Sequence, residues 1–133
     1  MRLFIAVMMC LLILAGCESD PPKTPFSDID MSVADAGSGE KLFGQSNNGA
    51  PNCVSCHAVE GESGGIGPSL AGMAEVAGTR VNGQSAEEYL YWSIVRPSNY
   101  LVPGYSNVMY ADYETTLEAA DIADVIAYIL TLE

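Results

Sequence analysis

Five residues, Cys53-Val54-Ser55-Cys56-His57, constrain this chain more than any other stretch. Two thiols and an imidazole in a C-x-x-C-H run form the attachment signature of a c-type haem. In a helical turn, positions three apart lie on one face. Cys53 and Cys56 can then both reach one edge of a flat porphyrin and add to its two vinyl groups. His57 follows directly, so its ring can project over the macrocycle and bind the iron. The rest of the chain has to wrap one haem c, supply a second axial ligand and tune the metal.

C-x-x-C alone also suits half a zinc site or a thioredoxin-like redox pair. Zinc wants four ligands, but His57 is the single histidine, and Cys10 and Cys17 lie in or at the end of a leader. A thioredoxin pair wants a βαβ setting, and this chain shows none. With one cysteine in the leader, one at a lipidation site and two on haem, none remains for a disulfide. Covalent haem is then the staple that a small domain needs.

Met1–Gly16 has the form of a secretory signal peptide. Arg2 is the charged start, and the apolar run from Leu3 to Ala15 is too short to span a bilayer comfortably. It ends in Leu14-Ala15-Gly16-Cys17, which looks like a bacterial lipobox, with Cys17 as the acylated residue. The alternatives are an ordinary cleaved signal beside an incidental cysteine, or an uncleaved anchor. Two or three acyl chains give stable anchoring where one does not. Residues 17–34 are the lipidated cysteine and a linker with Pro21, Pro22 and Pro25, for which no fixed structure is expected. Its 17 residues after Cys17 could stretch to about 60 Å at most.

Residues 35–133 make the folded domain, expected to be all-α with three to five helices. The first runs from Asp35 to about Gln45, with Gly39, Leu42 and Phe43 on one face. A glycine inside a helix costs about 1 kcal/mol against alanine, and close crossing by another helix would justify it. A short helix is expected from Leu70 to about Ala77. A clearer one spans Ser85–Val95, opened by Ser85 and Glu88 as a capping box and ended by Pro97. Ser98–Tyr113 is a long loop, and such loops in small domains are usually functional. The last helix covers Leu117–Leu132, with Ile122, Val125, Ile126, Ile129 and Leu130 as its apolar stripe and Asp121 and Asp124 toward solvent.

The carbonyl of Pro68, in Gly67-Pro68-Ser69-Leu70, is a suitable acceptor for the second ring nitrogen of His57, unless that proline only makes a turn. With no second histidine, the sixth iron ligand points to a methionine thioether. Outside the leader these are Met31, Met73 and Met109. Met31 lies in the linker, and Met73 has core packing as its plain alternative. Met109, in the long loop before the last helix, is favoured, with an open or water-bound iron as the remaining option.

Residues 17–133 carry 17 acidic residues against Lys23, Lys41, Arg80 and Arg96, a net −13. That balance argues against nucleic acid and against electrostatic binding to anionic lipid, and suits a partner with a basic docking face.

These motifs together make the chain similar to class I (monohaem) cytochromes c, in the small bacterial, membrane-anchored branch. The likeness rests on Gly-Glu-Lys-Leu-Phe (39–43), the haem motif, Gly-Pro-Ser-Leu (67–70), the Met109 loop and the stretch 121–130. The resemblance implies the class I fold, with N- and C-terminal helices crossing and Gly39 and Phe43 packed on Tyr128. It also implies iron held by His57 and Met109, with Pro68 accepting from His57 and Arg80, Trp92, Tyr100 and Tyr105 near the haem propionates. Haem attachment outside the cytoplasmic membrane follows, so the protein is expected to be exported and lipid-anchored, facing the periplasm or cell exterior. Two departures are visible. Met109 is followed by Tyr110 where the family often has proline, and Glu118 stands where a Ser, Thr or Asp cap usually opens the last helix. Thr115 with Glu118 offers an alternative capping box.

The implied function is one-electron transfer, without a small-molecule substrate and without enzymatic turnover. The protein would shuttle to, or sit within, a respiratory or photosynthetic electron-transport complex. Two rivals are a haem-based ligand-binding or sensor module with displaceable Met109, and a structural haem subunit of a larger complex.

Overall fold

A computed structural model of the protein describes residues 25–61 and 65–133. The leader, the lipobox and Cys17 lie outside these residues. Five α-helices appear among them: α1 (Ala36–Gly44), α2 (Met73–Arg80), α3 (Ala86–Val95), α4 (Tyr113–Thr116) and α5 (Ala119–Ile129). Single 3-10 turns occur at Phe26–Asp28, Met31–Val33 and Cys53–Ser55. Among the described residues no strand forms beyond one bridge between Asn47 and Ala50. No described helix is long and apolar enough to cross a membrane.

The first and last helices form the most extensive interface, as the glycine in α1 suggested. Gly39 and Phe43 are buried on one face of α1. A Cβ on Gly39 would run into the carbonyl oxygen of Asp124 and lie 2.9 Å from Tyr128 Cβ. Only hydrogen lets the two backbones approach so closely. Beside that contact the Phe43 and Tyr128 rings meet edge to face, centroids 5.4 Å apart. The α5 stripe buries Ile122, Val125, Ile126 and Ile129, while Leu130 is only partly covered. Asp124 departs from expectation. It is half-buried, and its Oδ1 accepts from the backbone N–H of Asp35 at 2.7 Å, just where α1 begins. Asp35 in turn caps α1 by accepting from Ser38 N–H. The two carboxylates thus join the start of α1 to the middle of α5.

Other helix ends follow local chemistry. Ser85 Oγ accepts from Glu88 N–H at 3.1 Å and opens α3, but only this half of the expected capping box forms, because the Glu88 carboxylate accepts from the Trp92 indole N–H. Helix α2 starts at Met73 and not Leu70, because Gly72 adopts a left-handed conformation (φ 67°) and interrupts any earlier turn. Glu118 caps α5, its N–H donating to the Asp121 carboxylate at 3.1 Å. The alternative box with Thr115 does not form, since the Thr115 hydroxyl donates to the Asp112 carbonyl within α4.

The segment 25–34 corrects the expectation of a linker without fixed structure up to Ala34. Its residues fold onto the domain. Ile29 joins the core at 9% exposure, and Phe26 packs on Tyr91 with ring centroids 5.6 Å apart. Asp30 accepts from Ser32 N–H and caps the second turn. Few apolar residues are involved, but each finds a prepared surface on α3 or α5, and that burial offsets the ordering cost.

Candidate haem site

The 3-10 turn Cys53–Ser55 is set by Asn52, whose side chain accepts from Ser55 N–H at 3.0 Å. The Cys53 carbonyl then accepts from both Cys56 N–H (3.1 Å) and His57 N–H (3.0 Å). This coils the five residues so that Cys53, Cys56 and His57 all line one cavity of about 380 Å³. Burial pushes the Cys53 thiol, before it is joined to any group, up to about 11.

The His57 ring is held from two sides. Its Nδ1 lies 2.8 Å from the Pro68 carbonyl oxygen, which as an acceptor requires Nδ1 to carry the proton. Nε2 is then left with its lone pair. Gly67 presses on the ring: a Cβ there would sit 2.5 Å from His57 Cε1 and 2.8 Å from Nδ1. Gly67 N–H also donates to the Cys56 carbonyl at 2.9 Å, tying the Gly67-Pro68 strip to the haem motif. Within Gly67-Pro68-Ser69-Leu70, Gly67 had no expected role of its own. Its position just before the acceptor proline was the available signal.

The long loop supplies another part of the lining. Tyr100, Tyr105 and Met109 all border the cavity, as does Met73 from the start of α2. Tyr110 stands where a proline is usual and packs edge-on against Tyr113, centroids 5.0 Å apart. The buried Tyr113 donates its hydroxyl to the Pro51 carbonyl at 2.9 Å, joining the end of the loop to the approach of the haem motif. Burial raises the phenol pKa of Tyr113 well above its ordinary value, so it remains a donor. The ring of Tyr110 thus replaces with packing some of the stiffness a proline would give.

Two expected neighbours do not line the cavity. Trp92 turns its indole N–H to the Glu88 carboxylate (3.3 Å) and packs on Tyr91, centroids 5.1 Å apart. Trp92 is partly buried against the core and does not itself line the cavity. Arg80 is also absent from the lining, yet it lies close by. Burial raises the Tyr89 phenol pKa, and the nearby Arg80 charge partly opposes that shift; Tyr89 itself lines the cavity and pairs with Tyr100. The Arg80 Nε is buried and has no hydrogen-bond partner among the described residues.

These features suit a haem. The volume lies within the roughly 300–1,000 Å³ of small-molecule and cofactor sites. Among the described residues its lining is largely apolar and includes no Asp, Glu, Lys or Arg. Both thiols and the imidazole of the motif open onto it.

An all-helical domain with a C-x-x-C-H turn opening on such a cavity defines a haem c protein of the class I fold. Residues 36–133 match the family described as Cytochrome c, and the chain belongs to that family. It is similar to "Cytochrome c2 iso-2" of Magnetospirillum fulvum, 33% identical over 91 residues, covering 60% of this chain and 91% of that protein. Family membership brings one covalently bound haem c with its iron, for which Cys53 and Cys56 are the cysteines of the attachment motif. It also places the chain among haem-based electron-transfer proteins and not among enzymes as such.

Proposed function

We propose that the protein is an exported, lipid-anchored one-electron carrier whose iron is held by His57 and Met109. The observation that carries this is the convergence of Cys53, Cys56, His57 and Met109 on a single apolar cavity. Bound haem iron supplies the ferric–ferrous couple. The residues of the chain do the rest. Cys53 and Cys56 attach the ring, and the Pro68 carbonyl fixes the His57 tautomer and makes Nε2 a better donor. The apolar lining excludes water and favours the less charged ferrous state. Arg80, Tyr100 and Tyr105 are the candidates to receive the propionates, Arg80 through its unsatisfied Nε. Met73 keeps the packing role: it is buried at 3% exposure within the core.

The test of the ligand set is spectroscopic. Oxidised protein at neutral pH should show the weak sulfur-to-iron absorption band. Met109→Ala should abolish it, and Met73→Leu should leave it intact. Retention of the band in Met109→Ala, or its absence from the native protein, would turn the reading toward Met73 or an open iron and so toward a ligand-binding module.

Gly67→Ala is expected to force the His57 ring off its seat, costing about 1–3 kcal/mol of stability. Weakening the Pro68 hydrogen bond makes the imidazole a poorer donor to ferric iron. The reduction potential should therefore rise, as redox titration would show.

Cys17 is the proposed site of acylation, with the domain on the periplasmic or outer face and a membrane electron-transport complex as its partner. Cys17→Ser should release the protein into the soluble fraction, and gentle solubilisation of native membranes should bring the partner complex with it. The docking chemistry has two parts. The described residues that line the cavity carry no charge, and Ile66, Leu101 and Val108 among them are exposed. A basic partner would then be steered by long-range charge and held by apolar contact. Raising ionic strength should slow association while leaving dissociation nearly unchanged; an equal effect on both rates would contradict this division.

A further inference from the structure

The loop that carries Met109 leaves α3 at Arg96 and returns at Glu114 in α4. Between these two residues its own structure is thin. No residue from 98 to 112 is buried. The backbone hydrogen bonds of the loop are local: Asn99 N–H to Arg96, Tyr105 to Val102, Val108 to Ser106. Its ring contacts are Tyr100 on Tyr89 and Tyr110 on Tyr113. A segment of this kind does not hold one side chain at a fixed place by itself.

Its two ends, however, are joined directly. Arg96 Nη1 lies 2.8 Å from Glu114 Oε2, and the side chains are only 23% and 8% exposed. The same Nη1 donates to the Val95 carbonyl at 2.6 Å, so the guanidinium is fixed in orientation by its own helix end. An exposed ion pair would contribute little. This one is largely withdrawn from water, where leaving either charge alone is costly, so the pair has a strong preference to stay closed. Next to Glu114, the Tyr113 hydroxyl bond to Pro51 connects the same junction to the haem motif.

We propose that Arg96 and Glu114 are positioning residues: a clasp across the base of the distal loop that keeps Met109 at the iron and sets how readily the loop opens. This rests on Met109 as the axial ligand. Neither residue lines the cavity, so the clasp acts only through the path of the loop. Opening the clasp leaves the haem attached and the helices in place but lets Met109 leave more often. A small exogenous ligand then competes more successfully for ferric iron, because its apparent affinity scales with the open fraction.

The test uses the full-length ferric haem protein, with imidazole as the competing ligand. Glu114→Gln should bind imidazole about tenfold more tightly than the native protein, a shift that follows from a tenfold larger open population. Amide hydrogen exchange should accelerate within residues 98–112 and remain unchanged in α1 and α5. Arg96→Lys keeps the charge but loses the fork; it should give an intermediate imidazole affinity, and it provides the readout if Glu114→Gln folds poorly. Asp124→Asn, which weakens the remote link to Asp35, controls for general loss of stability and should leave imidazole affinity unchanged. Native-like imidazole affinity and loop exchange in both clasp variants would overturn the proposal. An equal gain in Asp124→Asn would do so too, since the effect would then be global. Failure of the underlying ligand assignment looks different: Met109→Ala would retain the sulfur-to-iron band.

Discussion

Met109→His should retain covalent haem and lower the reduction potential by on the order of 0.2 V, a fraction of the roughly 0.8 V that axial ligands command. A thioether is a weak donor that favours ferrous iron, whereas imidazole stabilises the ferric form. The sulfur-to-iron band should vanish, and electron flux in membranes should fall with the driving force. Redox titration and oxygen-consumption or photo-oxidation kinetics read these two effects. Unchanged flux despite a shifted potential would favour the haem as a structural staple of a larger complex.

Gly39→Ala is expected to be the most damaging single-methyl change in the fold. Helix propensity alone predicts a gain of about 1 kcal/mol. Against it stands a Cβ driven into the Asp124 carbonyl oxygen, a backbone atom that no rotamer can move aside. Overpacking usually costs about 1–3 kcal/mol, and here relief requires α1 to lift from α5, which also weakens the Phe43–Tyr128 contact and the Asp35–Asp124 bond. A net loss of about 3 kcal/mol would lower Tm by about 12–24 °C for a domain of this size. Gly44→Ala is the matched control, because nothing lies within 4 Å of its added methyl. It should be neutral or slightly stabilising. Thermal melts of the reduced haem protein would decide, and a Gly39→Ala melt within a few degrees of the native one would mean that the crossing tolerates separation.

Much of this architecture was legible because local chemistry and global packing agree. Ser85 announced α3, the apolar stripe announced α5, and a glycine in the middle of α1 implied a close crossing before any partner was known. The haem motif and Pro68 were legible for the same reason, since each depends on a few adjacent atoms. What was obscure depends on a surface contributed from far along the chain. Phe26 and Ile29 have no periodicity of their own and acquire a role only from Tyr91 and the core. Trp92 is bulky on an amphipathic helix, and spacing does not say that its indole N–H is taken by Glu88. The four-residue helix α4 fell between the expected loop, ending at Tyr113, and the expected last helix, starting at Leu117, although the Asp112 carbonyl accepts from the hydroxyls of Thr115 and Thr116 and so coils that turn locally. The pairing of Arg96 with Glu114 joins positions 18 apart and has no signature in either neighbourhood.

The docking of residues 25–34 onto the domain has a consequence for the proposed anchor at Cys17. Only residues 18–24 then separate the lipid from folded protein, and however they run they span at most about 25 Å, against about 60 Å for the whole stretch 18–34. The volume within which the haem can roam above the bilayer shrinks by roughly tenfold, since it scales with the cube of the leash. The effective concentration of the carrier at a neighbouring complex rises by a similar factor, provided that the acceptor site lies within that shorter radius. A few apolar residues on one side of the domain would thereby set which complexes it can reach.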